Sequence, residues 1–207
     1  MEKKKSFLQD TVETIVFVVV AIMLIHFFLG EVRWIPSASM HPTLLEGDRV
    51  IVENVSRFYS SPNRGDVMIF YPPDVTLKYD PLSLFRRLTG FFCKDKAYIK
   101  RVIGLPGDKI QIVQNEDGSH DVLINDKVIE EPYILDRFDY RPCNERMFCG
   151  PLVLGDDEYF MMGDNRGNSQ DSRYWGVLKK DRFIGRAKLI FWPFNRFKYF
   201  GIQNYDL

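Results

Sequence analysis

The sequence predicts a mainly β fold: a β-rich domain with a small insertion, preceded by one N-terminal transmembrane helix. Three observations carry that expectation. From Thr14 to Gly30 the 207-residue chain holds no Lys, Arg, Asp or Glu. After Trp34, short runs of β-branched and aromatic residues recur between turn signals. Few stretches beyond the apolar run keep a helical period, which favours packed sheets over helices.

The apolar run comes first. Its centre reads Ile15-Val16-Phe17-Val18-Val19-Val20-Ala21-Ile22-Met23-Leu24-Ile25. As a helix rising about 1.5 Å per residue it would span about 26 Å, slightly less than a bilayer core of about 30 Å. Thr11 and Val12 before it, and Val32 and Trp34 after it, can extend it, and Trp34 suits the interfacial belt. Lys3, Lys4 and Lys5 precede the run and orient the N-terminus into the cytoplasm. The expected organisation is a cytoplasmic N-terminus over 1–10, an anchor over 11–31 and an extracytoplasmic domain over 32–207. A cleaved signal peptide is the alternative, with Ser37-Ala38-Ser39 as its small-x-small site. The run is long for a signal h-region of about 7–15 residues.

The strands follow in order. Arg49 to Val55 and Val67 to Tyr71 each follow a Gly-Asp turn, Gly47-Asp48 and Gly65-Asp66. Ala97 to Ile103 is a third run. Lys109 to Val113 and Asp121 to Ile124 flank Asn115-Glu116-Asp117-Gly118-Ser119, a hairpin signal, and Asn125-Asp126-Lys127 turns the chain again into Val128-Ile129. Tyr159 to Met162 and Ala187 to Trp192 read as later strands. Two stretches break the pattern. Pro81 to Phe92 mixes Leu82, Leu84, Phe85, Leu88, Phe91 and Phe92 with Arg86 and Arg87, which fits either an amphipathic segment on lipid or a helix packed on the core. The stretch from about 129 to 155, broken by Pro132, Pro142 and Pro151, reads as an irregular insertion.

Without the anchor, about 170 residues remain, enough for one domain with a sizeable core. Basic and acidic side chains balance, 28 against 28, so no nucleic-acid partner is expected. The three cysteines are Cys93, Cys143 and Cys149. An extracytoplasmic location permits disulfides, and Cys143 and Cys149 could close a small ring; two free thiols are the alternative. There is no Cys-x-x-Cys pair and no paired histidine spacing, so no metal site or cofactor is expected.

Chemistry concentrates in three segments. Pro36-Ser37-Ala38-Ser39-Met40-His41-Pro42 is a serine-rich turn just behind the apolar run. A nucleophilic serine needs a base, and the three histidines serve poorly: His26 lies in the apolar run, His120 beside a hairpin turn, and His41 only two residues from Ser39. A lysine can replace histidine if burial lowers its pKa by disfavouring the ammonium. Tyr98-Ile99-Lys100-Arg101-Val102-Ile103 sets Lys100 in an apolar strand, where alternation would turn Lys100 inward and leave Arg101 paired outside. The third segment, Gly163-Asp164-Asn165-Arg166-Gly167-Asn168-Ser169-Gln170-Asp171-Ser172-Arg173, is dense in opposite charges and could hold a serine and a lysine in register.

Ser39-Met40-His41-Pro42, Lys100 through Asp108 and Gly163-Asp164-Asn165-Arg166 through Arg173 resemble, in order, the three signature segments of bacterial type I signal peptidases. The resemblance runs from the anchor to about Phe194. It implies a membrane-anchored serine endopeptidase that removes signal peptides from exported preproteins. Ser39 would be the nucleophile and Lys100 its general base. The Ser39 N–H and Ser37 hydroxyl would form the oxyanion hole, and Ser169 would orient Lys100. Arg101 with Asp164, and Asp171 with Arg173, would be structural ion pairs. Ile35, Met40, Leu44, Tyr98 and Ile99 would line shallow pockets for small residues at the first and third positions before the cut. The implied partners are preprotein signal peptides, the lipid bilayer and the secretion translocon, at a bacterial inner membrane. Two rivals stand beside this reading. One is a self-cleaving Ser/Lys repressor-type regulator, which the anchor disfavours. The other is an envelope β-domain that binds a partner without catalysis.

Overall fold

The structure, a computed structural model, describes residues 7–77, 80–83, 96–140, 148–201 and 205, with the side chains of all of these except 23–29 and 57. In chain order the elements are α1 (Phe7–Leu29), β1 (Glu31–Trp34), β2 (Arg49–Glu53), α2 (Ser56–Tyr59), β3 (Val67–Phe70), β4 (Tyr98–Gly104), β5 (Lys109–Gln114), β6 (His120–Ile124), β7 (Lys127–Val128), β8 (Leu152–Val153), β9 (Glu158–Met162), α3 (Ser172–Trp175), β10 (Leu178–Lys179), β11 (Phe183–Trp192) and β12 (Lys198–Tyr199). The mainly β expectation is met.

α1 is 23 residues long, and every side chain from Phe7 to Val20 is exposed. Within the described side chains, which in α1 end at Ile22, no helix is long and apolar enough to cross a membrane. Gly30 ends the helix, and the next residues change period. Val32 and Trp34, read from sequence as extending the helix, lie instead in β1, which pairs antiparallel with β2. Two faces of strand explain the alternation there: Glu31 and Arg33 are half-buried and ion-paired, whereas Val32 and Trp34 face out.

Eight strands form the larger sheet, in the order β1-β2-β11-β3-β4-β9-β10 with β12 paired to β11. β11 is ten residues long and pairs with β3 at its start and β2 at its end. Bulges at Ala187/Leu189 and Ile190/Trp192 bend it across the change of partner. A smaller sheet, β7-β6-β5-β8, is built on the β5–β6 hairpin, whose register from Ile110↔Ile124 to Gln114↔His120 closes on the expected turn. The next turn has Asn125 and Asp126 both at positive φ (53° and 66°), the type I′ geometry that these residue types tolerate.

β4 lies mid-sheet between β3 and β9. Ile35, Met40, Leu44, Val50, Val52, Val67 and Ile69 form one core cluster, with Ile99 packed at its edge. Met68, Phe70, Val102, Tyr159 and Met161 form another, with Tyr98 against it. Covered on both faces, β4 buries Arg101 as deeply as Lys100, each 4% exposed. The alternation is as expected, but Arg101 is not outside.

The 129–155 stretch is irregular, as its prolines imply, yet it is no loose appendage. Ile129, Tyr133, Tyr140 and Leu154 are buried in the same cluster as Ile110, Val122 and Phe160. Cys149 is disulfide-bonded; Cys143, the partner expected for it, and Cys93 lie outside the described residues. Of the 81–92 segment, residues 81–83 are helical and 84–92 lie outside the described residues.

Candidate active site

Ser39 sits in a single 3-10 turn, Ala38–Met40, just after β1. The turn is anchored on both sides. The Ile35 N–H donates to the Asp48 carbonyl at 2.9 Å, and the Gly47 N–H donates to the Ile35 carbonyl at 2.9 Å. Met40 and Leu44 are fully enclosed in the core, and the Leu44 N–H donates to the Met40 carbonyl at 2.9 Å. The carboxylate of Asp48 receives the Leu45 N–H at 2.8 Å and a two-pronged grip from Arg196 at 2.9 and 3.0 Å. The buried Met40 and Leu44 side chains and these hydrogen bonds fix the turn, and Ser39 is carried with it.

Lys100 reaches Ser39 from the middle of β4. Its Nζ donates to Ser39 Oγ at 2.7 Å and to the Ile99 carbonyl at 2.9 Å. Burial pushes the Lys100 pKa down from 10.5 to about 8; the charges of Asp171 and Asp164 pull it up, and Arg173 pushes it down. With a pKa of about 8, about a tenth of the side chain is neutral at pH 7. At the ordinary lysine value the neutral share would be several hundred times smaller. A neutral amine 2.7 Å from a serine oxygen can take its proton.

The charges around Lys100 are themselves held. Arg101 forks Asp164 at 2.8 and 2.6 Å, also donates to the Gly65 carbonyl at 2.8 Å, and lies 3.9 Å from the centre of the Tyr133 ring. Burial alone would lower the Arg101 pKa, but Asp164 holds it above the ordinary value. Arg173 forks Asp171 at 2.8 and 2.9 Å, and Asp171 also receives the Gly163 N–H at 3.0 Å. Burial alone would raise the Asp171 carboxyl; Arg173 and these hydrogen bonds hold it below the usual carboxylate range. Both pairs named from the sequence are therefore formed, within the protein interior. Asn165 ties this segment to the Ser39 turn: its N–H donates to the Ser39 carbonyl and its Nδ2 to the Ala38 carbonyl, both at 3.2 Å. Gly163 makes that closeness possible, since a Cβ there would collide with Ser169 Oγ and the Ser39 carbonyl oxygen.

The other residues named from the sequence fall as follows. Ser37 is exposed, with its Oγ 3.5 Å from Ser39 Oγ. The Ser39 N–H lies in the first turn of the 3-10 segment, where N–H groups lack intrahelical acceptors and are open to a ligand. Ser169 is buried beside the site; its hydroxyl is near enough to help hold Asp171 charged but meets no partner at hydrogen-bond geometry, and the second bond of Lys100 goes to Ile99 instead. Tyr98 and Ile99 are half-buried, while Ile35, Met40 and Leu44 are enclosed beneath them. Ile99 packs on the cluster that holds Ile35, Met40 and Leu44, whereas Tyr98 packs on the one that holds Phe70 and Val102. His41 makes no contact with Ser39 Oγ among the described hydrogen bonds. Among the described residues no group of His, Cys, Asp and Glu could hold a metal ion.

Three residues escaped the sequence reading. Glu131 forks the buried Arg166, with one arm at 2.9 Å, and Tyr140 hydrogen-bonds the same guanidinium. Tyr133 donates to Glu131 at 2.9 Å. Arg166 was within a segment already singled out, but Glu130-Glu131-Pro132 reads in sequence as loop charge, and nothing local marks it as a buried partner.

A family model described as signal peptidase, peptidase S26, matches residues 8–192. The chain is 40% identical over 194 residues to signal peptidase I of Leptolyngbya laminosa, covering 94% of this chain and 84% of that one. It is 32% identical over 207 residues to signal peptidase I S of Bacillus subtilis, covering 96% of each. Among solved structures, a signal peptidase I from Enterococcus faecalis aligns with TM-score 0.40 at 25% identity, over 61% of this chain and 97% of that one.

Proposed function

The chain belongs to the signal peptidase family, peptidase S26, and is a serine endopeptidase that processes signal peptides; on that premise we propose that it does so with a Ser39–Lys100 dyad, at a bacterial inner membrane, from an extracytoplasmic domain. The observation that carries the dyad is the 2.7 Å contact between Lys100 Nζ and Ser39 Oγ in an enclosure that lowers the lysine pKa to about 8.

In this reading, Ser39 Oγ attacks the carbonyl carbon at the scissile bond while its proton passes to neutral Lys100. The oxyanion that forms is met by the Ser39 N–H and the Ser37 hydroxyl, which act where charge develops. Collapse breaks the C–N bond, and the Lys100 ammonium gives its proton to the departing amine of the mature protein. The signal peptide is left as an ester on Ser39. Lys100, neutral again, takes a proton from water; the resulting hydroxide equivalent attacks the ester, and the proton returns to Ser39 Oγ. Asp164–Arg101 and Asp171–Arg173 set the field at Lys100 in each half, and Ser169, buried beside the site without a hydrogen bond to Lys100, is proposed to orient it. Ile35, Met40, Leu44, Tyr98 and Ile99 are proposed to line shallow pockets that suit small side chains at the first and third positions before the cut.

α1 is proposed as a membrane anchor with its N-terminus cytoplasmic, the rest of the chain outside, and the bilayer and secretion translocon as partners. Its support is chemical. Every side chain from Ile15 to Val20 is apolar and exposed, so this part of the helix is apolar on every side, and a helix apolar all round belongs in an apolar medium. The domain limits proposed are 1–10, 11–31 and 32–207. The test of the whole reading is cleavage of a preprotein with Ala at the first and third positions before the cut. The wild type should release the mature protein and Ser39→Ala should not; cleavage by Ser39→Ala would reject the nucleophile.

A further inference from the structure

We infer that Glu131 is a positioning residue of the active site, acting through Arg166 and Tyr133 on the two charge pairs that flank Lys100; the inference rests on the Ser39–Lys100 reading above.

Glu131 comes from the irregular 129–155 stretch, far from the three signature segments in sequence. In space it is their common buttress. Its carboxylate is buried and grips both arms of the Arg166 guanidinium. Arg166 passes that hold on in two ways. Its Nε donates to the Gly163 carbonyl at 3.0 Å, and its own carbonyl receives Arg173 Nη2 at 2.8 Å. Gly163 is the residue whose N–H binds Asp171 and whose bare Cα lies against the Ser39 carbonyl. One Glu131–Arg166 fork therefore steadies both the Asp171–Arg173 pair and the loop that touches the nucleophile.

The second arm runs through Tyr133. Its hydroxyl donates to Glu131 at 2.9 Å, and its ring face carries the Arg101 guanidinium at 3.9 Å. Arg101 in turn holds Asp164. The groups around Lys100 are Ser39 from the 3-10 turn, Tyr98 on its own strand, Met68 opposite on β3, and Asp164, Asp171 and Arg173 from the segment after β9; Arg101, next along β4, lies on the other face and holds Asp164 from there. Each charged member of that set is tied to Glu131: Arg173 through two links, and Asp164 and Asp171 through three. Charges in such an interior act strongly at short range, so displacing them retunes the base.

A Glu131 that served folding alone would, when lost, scale activity by the folded fraction. A positioning Glu131 changes turnover and the lysine titration in protein that is still folded. Glu131→Gln keeps the shape but removes the charge. The paired Glu131→Leu/Arg166→Met removes both buried charges together, a replacement that buried pairs often tolerate. The full-length proteins are assayed on the same preprotein for kcat, KM and pH inflection, with thermal melting alongside and Ser39→Ala as the blank. Loss of cleavage in Ser39→Ala secures the serine reading whatever Glu131 does. Glu131→Gln should lower kcat by about tenfold to a hundredfold with KM little changed, the size expected when reacting groups are slightly misplaced. Its inflection should fall below that of the wild type, because Asp164 and Asp171 hold Lys100 protonated less well. The paired variant should be folded and show at least the same kcat loss, since it removes the grip on Gly163 that Glu131→Gln only loosens. If Glu131→Gln does not fold, the paired variant decides by the same criteria. A folded variant with wild-type kcat and inflection overturns the inference, as does a kcat loss equal to the loss of folded protein.

Discussion

Replacing Asp164 by Asn should weaken the fold and shift the catalytic titration together. Asp164 is fully enclosed and receives two Arg101 hydrogen bonds at 2.8 and 2.6 Å, with the Arg101 side chain 5% exposed. Asn keeps the outline but offers Arg101 one neutral oxygen in place of two charged ones. Removing one partner of a buried ion pair costs about 3–5 kcal/mol, because the other charge stays buried. For a domain of this size, each kcal/mol is about 2–4 °C in Tm, which sets the expected fall at about 10 °C. The bonds from Arg101 to Gly65 and Thr43 and the Tyr133 ring remain, which favours the smaller end. The second effect has a definite sign. Asp164 raises the Lys100 pKa, so its loss moves the inflection in kcat/KM below about 8. The assay pairs a thermal melt with a pH series on an Ala-x-Ala peptide, run well below the Tm of the variant. A Tm loss with an unmoved inflection, or an inflection that rises, would refute the placing of Lys100 in the field of Asp164.

Three further outcomes follow from the same geometry. Ser37→Ala should slow turnover by about a hundredfold to a thousandfold, the loss of one oxyanion donor, with the Ser39 N–H still in place; an unchanged kcat at saturating substrate would mean that Ser37 points elsewhere. Gly163→Ala should lose most activity, because the added Cβ collides with Ser169 Oγ and the Ser39 carbonyl; wild-type kcat in this variant would contradict the close packing of loop on nucleophile. Protease added outside spheroplasts should degrade the catalytic domain, and N-terminal sequencing of the membrane fraction should still find Lys3, Lys4 and Lys5. A mature N-terminus at Met40 would show the apolar run to be a cleaved signal.

Much of the strand content was legible because β-branched runs and Gly-Asp or Asn-Asp turns are local signals. β2, β3, β4, β5, β6 and β9 lie within a residue or two of where those signals set them. The two-residue strands β8, β10 and β12 carry no period and exist only through their partners. β1 was misread as an extension of the helix because Val32 and Trp34 are apolar; pairing with β2 decides it. At the site, Ser39, Lys100 and the two charge pairs stood in recognisable segments. Arg101 was expected outside because alternation says which face a residue takes and not what covers that face. Glu131 had no signal, since its partner is 35 residues away and a charged residue before proline ordinarily faces water. Tyr133 and Tyr140 were hidden for the same reason. Burial against a distant segment is set by topology, and no local pattern encodes it.

The central claim is that a buried neutral lysine activates Ser39, and the pH dependence of kcat/KM tests it most directly. For Lys100 the folded environment lowers the pKa, so the active neutral form is lost as pH falls through that value and gained as pH rises above it. Measured on a peptide with Ala at the first and third positions before the cut, activity should rise along a single limb with its inflection near about 8. Lys100→Arg should be inactive at every pH, because a guanidinium stays charged and cannot accept the proton. His41→Ala should leave the limb in place. An inflection near about 6.5, the range of histidine, or cleavage by Lys100→Arg, would contradict the account.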